Sequence, residues 1–359
     1  PIIIADREGR WVRAMERIAD CPICGAKMHP LYRDLVDGLC GVPGRYHVSR
    51  CPACRLIRLD NPPDREAILA CYENYHTRAM SPEAPEAPPV RRFGRLRDAL
   101  RTAVLCGSFG YRGGHSDHGL CRLGLVLAKV PGLRRRAVFD GLRESFPLWV
   151  NRPERLLVDV GCGRGDFLAR MQSLGWNVLG VEPDPVAAGL ARSRGIDVFG
   201  GRLEDAGLAG GIADQVTLHH VLEHVEDPVG LLTECRRILR PGGRLVIYTP
   251  NAESLGHRWF GRAWRGLEPP RHLFIFSPRA LQRMLHEAGF RSFCMKTPST
   301  LAGGIYDDSV RIRREGCTPP HGGKRERGRG CFRGLERLLC LAGGNRGEEI
   351  EAVTRRDAD

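Results

Sequence analysis

From Leu156 onward the chain alternates short apolar runs with stretches in which apolar residues recur every three or four positions. Leu156, Leu157, Val158, Asp159 and Val160 form such a run with one acidic position, the pattern of a strand buried on both faces of a parallel sheet. The pattern then predicts a helix from Phe167 to Leu174, a strand from Asn177 to Val181, a helix from Val186 to Ser193 and a short strand over Asp197 to Phe199. Gln215 to Leu218 reads as a strand feeding a helix through Val221, and a second helix covers Leu231 to Leu239. A strand over Arg244 to Thr249, a helix from Pro278 to Ala288 and a strand from Phe290 to Thr297 follow. Glu349 to Thr354 alternates as an antiparallel edge strand that would close the sheet. Seven strands alternating with helices at short spacing predict an α/β fold, a doubly wound and mostly parallel sheet.

The flanks have other characters. Residues 1–80 carry Cys21-Pro22-Ile23-Cys24 and Cys51-Pro52-Ala53-Cys54, two C-x-x-C knuckles 26 residues apart. Two such knuckles complete a tetrahedral thiolate site, so residues 21–54 read as a zinc ribbon. Four cysteines leave no position for substrate, which makes the metal structural; His29, Cys40 and His47 are spectators. A short helix over Ala67 to Tyr75 precedes residues 81–152, a proline-rich linker (Ser81 to Pro89) and a basic, helix-patterned segment suited to a lid or to packing on the core. The core spans 153–300, a basic glycine-rich insertion of low periodicity spans 301–347, and 348–359 holds the closing strand.

A turn with Gly161, Gly163 and Gly165 follows the first core strand and opens the first helix. Glycines there let a ligand approach the backbone, and the spacing is not the G-x-G-x-x-G of a pyrophosphate binder. Cys162 fills the turn as a small packing residue and is not a nucleophile. A second strand ends on Glu182, about 20 residues later, where a carboxylate can accept from both ribose hydroxyls. With His219-His220-Val221-Leu222-Glu223-His224 after the fourth strand and Pro241-Gly242-Gly243 before the fifth, these residues resemble the class I S-adenosylmethionine-dependent methyltransferases, small-molecule branch, over Arg155 to Ser299. The resemblance implies S-adenosylmethionine as cofactor, with Asp159 and the turn (Gly161, Cys162, Gly163, Gly165) at the methionine portion. It places Glu182 on the ribose, Glu204 near the adenine and His219 against the methionine arm.

Methyl transfer is an in-line displacement, so the protein orients the acceptor and removes its proton. His224 is the predicted base, with Glu223 as orienter or alternative. On the Pro269-Pro270-Arg271-His272 run, Arg271 would grip an anionic acceptor group and His272 would share the proton work. Trp259, Phe260 and Trp264 would wall the substrate, Trp264 foremost.

The formal charge of +13 is concentrated in Arg91–Arg136 (+9) and Arg311–Arg337 (+6), outside the core. It would suit a phosphorylated, sugar-linked, lipid-linked or membrane-associated acceptor. The expected partner is a small-molecule, saccharide or lipid-linked hydroxyl compound, with carbon a lesser target and peripheral contact with an anionic membrane compatible. RNA methylation is the alternative, since a ribbon and basic charge also fit nucleic acid. It lacks the Asn/Asp-Pro-Pro-Tyr/Phe run typical of enzymes that methylate base amines. A non-catalytic binding module and a nicotinamide dehydrogenase are further alternatives, disfavoured by the intact acidic and glycine positions and by the glycine spacing. No run of 18 apolar residues predicts a membrane span, and Pro1 to Asp6 lacks a signal-peptide layout. Fourteen scattered cysteines read as reduced thiols in a cytoplasmic protein.

Overall fold

The computed structural model describes residues 3–5, 11–13, 20–63, 103–104, 126–127, 129–130, 154–318 and 324–357. The predicted helix at 67–75, the proline-rich linker and nearly all of the basic segment lie outside the described residues.

A two-stranded antiparallel pair, β1 (Ile3–Ala5) and β2 (Trp11–Arg13), opens the chain. The ribbon follows with β3 (His29–Leu35), β4 (Tyr46–Arg50) and β5 (Ile57–Leu59). The core runs β6 (Leu156–Val160), α1 (Asp166–Ser173), β7 (Asn177–Val181), α2 (Pro185–Arg192), β8 (Val198–Phe199), β9 (Ala213–His219), α3 (Pro228–Ile238) and β10 (Leu239–Pro250). It continues with α4 (Leu255–Phe260), β11 (Phe274–Ile275), α5 (Pro278–Glu287), β12 (Phe293–Lys296), α6 (Ala302–Glu315), α7 (Arg329–Leu341) and β13 (Glu349–Arg355).

Seven of these strands form one sheet in the order β12-β13-β10-β9-β6-β7-β8, with β13 alone antiparallel to its neighbours. The doubly wound α/β expectation is therefore met. The helix starts are written locally: Asp184, Asp227 and Ser277 each accept from a first-turn N–H and each precedes a proline that cannot donate.

Three expectations change. The closing strand β13 is not an edge; it sits between β10 and β12, and β12 is the edge. The helix expected through Val221 is a single 3-10 turn, Leu222–His224, because Asp227 and Pro228 start α3 three residues later. The glycine-rich insertion holds two helices, α6 and α7. Its glycines permit contact: a Cβ on Gly303 would meet the Arg329 guanidinium at 2.6 Å, beside the Arg329–Asp307 ion pair at 2.5 Å.

The ribbon is joined to the core. Strand β11, after α4, pairs antiparallel with β5 and completes a four-stranded sheet β11-β5-β4-β3. Cys51, Cys54, Met28 and Leu56 share a buried apolar cluster with Phe276, Ala280 and Leu281 of the core. Ser277, the cap of α5, also donates its hydroxyl to the Cys54 carbonyl at 2.5 Å. Among the described residues no helix is long and apolar enough to cross a membrane.

Candidate functional site

The carboxyl ends of β6, β7, β9 and β10 open onto one continuous cavity of about 1580 Å³. That exceeds the roughly 300–1,000 Å³ of a pocket for a single drug-sized molecule, so it has room for two ligands side by side. It is lined at one end by the glycine turn and Glu182, and at the other by His224, His272, Trp264 and Leu301.

The cofactor end is built on β6 and β7. Gly161, Gly163 and Gly165 all have left-handed φ (69°, 55° and 78°). At Gly161 a Cβ would strike Val221 at 2.5 Å, whereas at Gly163 it would meet nothing within 4 Å and would project into space a ligand can use. Glu182 is 8 % exposed, and its two oxygens accept from Gly163 N at 2.8 Å and Asp184 N at 2.9 Å. Burial raises its pKa against those two donors. Glu204 lines the cavity mouth with a half-exposed side chain near Arg202. His219 lines the cavity too, edge-on to Phe167 at 4.7 Å and tilted over Tyr248 at 5.2 Å.

Three members of the predicted set stand behind this wall instead of on it. Asp159 is paired in register with Thr217 and takes its hydroxyl at 2.5 Å, with His219 Nδ1 at 3.7 Å. Burial, aided by the charge of Glu182, pushes its pKa up to about 7. Cys162 packs its side chain into the cluster of Leu157 and Leu168 and, like Asp159, does not line the cavity. Gly165 caps α1 and abuts Ala191.

At the acceptor end His224 Nδ1 lies 2.9 Å from the Arg271 carbonyl oxygen. A carbonyl only accepts, so Nδ1 carries the proton and the basic lone pair of the neutral ring is on Nε2. His272, ring centroid 4.9 Å away, likewise donates Nδ1–H to the Gly266 carbonyl at 2.9 Å. Burial, with the neighbouring His224 adding to it against Glu268, pulls the His272 pKa down to about 4, so this ring is neutral.

Glu223 does not orient His224. Its oxygens take His220 Nδ1 at 3.1 Å and the Thr249 hydroxyl at 3.0 Å. Burial alone would raise its pKa, but His220, reinforced by His224 and His272, holds it at about 2, too low for a general base. His220, absent from the predicted set, bridges Glu223 and Glu349, with Nε2 at 2.7 Å from Glu349 Oε1. Burial would lower its pKa; the two carboxylates overcome that and raise it to about 10, so the ring is an imidazolium. Its φ of 56° is a conformation rarely held outside glycine. The donor atoms of Glu223, His224 and His272 lie within 4.8 Å of one another, but both Glu223 oxygens are already engaged.

Arg271 is not an acceptor grip. Its side chain has no exposure and forks onto both oxygens of Asp37 in the ribbon, at 2.7 and 2.9 Å, with Nε on Glu268 at 3.0 Å. Trp264 lines the cavity with its Nε1–H on Glu348 at 2.7 Å. The other two aromatic residues do not join it. Trp259 is 54 % exposed and meets Phe332, and Phe260 packs against Tyr306 and Phe332.

The four knuckle sulfurs lie within 4.8 Å of one another, with Cys21–Cys54 at 3.5 Å and Cys24–Cys51 at 3.4 Å. These distances are far beyond a disulfide and near the roughly 3.8 Å edge of a tetrahedron with zinc–sulfur bonds of about 2.3 Å. The donor set fits a closed zinc site.

A family model described as a methyltransferase domain matches residues 132–293. A ubiquinone biosynthesis O-methyltransferase of one Cereibacter sphaeroides strain is 34 % identical over 186 residues, 47 % of this chain and 70 % of that one. Its counterpart in another strain is 34 % identical over 145 residues, 37 % of this chain; the match spans only 59 % of that relative's length. A solved S-adenosylmethionine dependent methyltransferase from Mesorhizobium loti is 18 % identical with a TM-score of 0.42, over 61 % of this chain and 97 % of that one.

Proposed function

The chain belongs to the S-adenosylmethionine-dependent methyltransferases, and from that premise we propose that it methylates a hydroxyl oxygen of a small acceptor, with His224 as general base. The observation that carries this reading is the fixed tautomer of His224, whose Nδ1–H is held by the Arg271 carbonyl in the cavity that also contains the glycine turn. The name of the Cereibacter relatives supports oxygen as the methylated atom.

When bound, S-adenosylmethionine supplies a methyl group on a positively charged sulfur. Glu182, with its oxygens fixed by two backbone donors, would receive the ribose hydroxyls, and Gly163 leaves its backbone approachable. His219 would border the methionine arm, and Asp159 acts through Thr217 and the strand ends, not by contact. His224 Nε2 would take the acceptor's hydroxyl proton as the oxygen attacks. His272 stays neutral beside it. Trp264, Phe274, Leu301 and Ile305 line the same end and suit an acceptor with an apolar ring or chain, such as a lipid-linked phenol.

Four thiolates of the ribbon would hold one structural zinc ion, closed to substrate, with Pro22 and Ile23 of the first knuckle on the cavity wall and β5 paired to the strand after His272. Incubation of the zinc-loaded chain with methyl-labelled cofactor and a fractionated cell extract tests the assignment. Label should enter a small-molecule or lipid fraction as a methyl ether. Label confined to RNA, or incorporated nowhere while the cofactor binds, would overturn it.

A further inference from the structure

A second cavity, of about 360 Å³, lies where the second knuckle, the loop after β10, the start of α5 and the segment before β13 meet. Arg55, Arg258, Arg279 and Arg346 line it, with Glu253 as the only carboxylate, and none of the four arginines lines the larger cavity. We propose that this cavity binds a compact phosphoryl anion, either phosphate itself or the phosphate ester of a small molecule.

The charge balance is the first argument. Glu253 takes Arg55 Nε at 3.1 Å, and Arg346 Nη1 donates to the Glu253 backbone carbonyl at 3.3 Å. One carboxylate against four guanidiniums leaves three positive charges around a concave space. The crowding is felt: burial and then the Arg346 charge, with Arg55 adding, lower the pKa of Arg258 against Glu253. A dianion would relieve that repulsion, and planar guanidiniums match phosphoryl oxygens in pairs. The first turn of α5 opens beside it and adds the positive end of a helix.

The second argument is backbone conformation. Each knuckle ends on a residue whose N–H returns to the carbonyl of its first cysteine: Gly25 to Cys21 at 2.9 Å and Arg55 to Cys51 at 3.0 Å. Both residues are left-handed, with φ of 69° and 65°. Glycine satisfies this turn without strain, as the first knuckle shows. The second knuckle holds a β-carbon-bearing residue in the same conformation, and that residue places its guanidinium in the cavity. Strain held at one of two equivalent turns points to a use for the side chain.

Arg55→Gly separates binding from structure. In the zinc-loaded full chain, phosphate and phenyl phosphate should raise the melting temperature above that in chloride at equal ionic strength. Arg55→Gly should melt at the same temperature or higher without anion, and its phosphate affinity should fall at least tenfold. Arg346→Gln and Arg279→Gln should weaken binding in the same direction. If Arg55→Gly melts lower and binds phosphate as before, Arg55 is a structural partner of Glu253 and the proposal fails. It fails equally if only phosphatidylglycerol vesicles or RNA, and neither phosphate compound, bind in an Arg55-dependent way.

Discussion

Arg271 and Asp37, 234 positions apart, form a two-pronged ion pair with no side-chain exposure on either partner. The same Arg271 gives its backbone carbonyl to His224. One residue therefore ties the ribbon to the acceptor loop with its side chain and sets the histidine tautomer with its main chain. Removing Asp37 takes two hydrogen bonds from a buried guanidinium and the acceptor from the Leu39, Cys40 and Val42 N–H groups. Asp37→Ala should cost about 3–5 kcal/mol of folding stability, read by denaturant titration. Asp37→Leu combined with Arg271→Met should recover only part of that loss, because Glu268 loses the Arg271 Nε and the Leu39, Cys40 and Val42 N–H groups lose Asp37. An Asp37→Ala protein as stable as the parent would remove the tie from the account.

Zinc removal should act through the same junction. Strand β11 depends on β5 for its pairing, and it follows His272 directly. Cys21→Ser with Cys54→Ser should abolish bound zinc and, by loosening β11, reduce turnover while leaving cofactor affinity within about threefold of the parent. Equal loss of both would mean that the ribbon supports the whole core and not the acceptor loop.

At the cofactor end, Glu182→Ala deletes two charged acceptors. By the usual worth of hydrogen bonds to charged groups, about 1.5–3 kcal/mol, S-adenosylmethionine affinity should drop about 10- to 150-fold in calorimetry. Asp159→Asn should do less, since Asp159 lies behind the wall and bonds to Thr217. The reverse ranking would place the methionine contact on Asp159 after all.

The His220 unit gives stability a definite pH window. His220 is raised to about 10, so its contribution is complete below its unfolded pKa of about 6.5 and is lost as pH climbs to about 10. Glu223 is depressed to about 2, so its contribution is present above its unfolded pKa of about 4.3 and is lost as pH falls toward 2. The contribution of this pair should therefore be complete between about pH 4.3 and 6.5 and decline on both sides, and the difference between the parent and His220→Gln isolates it from the titrations of Asp159 and His272. His220→Gln should flatten the alkaline limb; an unchanged alkaline limb would show that the imidazolium is not formed.

The local chemistry of the fold was legible in the sequence, and its long-range pairings were not. Asp184, Asp227 and Ser277, each followed by proline, mark helix starts without help from distant residues. The apolar runs likewise mark strands, and two knuckles imply a metal. Arg271 reads as a ligand grip because Glu268, three residues earlier, takes only its Nε; Asp37, which takes the other two nitrogens, lies in the ribbon. His220 shows only half of its setting in sequence: Glu223 is three residues on, but Glu349, its second carboxylate, is 129 positions away. Edge status of β13 was equally hidden, because alternation reports one face against another and not which strands flank it.

His224 carries the mechanism most directly. Its Nδ1–H is pinned by a carbonyl, so substitution to asparagine keeps an amide donor at the same number of bonds from Cβ while removing the basic nitrogen. His224→Asn should bind S-adenosylmethionine as the parent does and fold with similar stability, yet lose about 10²- to 10⁴-fold in turnover, the usual worth of general-base catalysis. The loss should shrink for acceptors of lower hydroxyl pKa, which need less help to part with a proton. A merely structural role for His224 predicts a loss independent of acceptor acidity. Rates measured across a series of substituted phenols distinguish the two, and a flat series would transfer the proton step to another group.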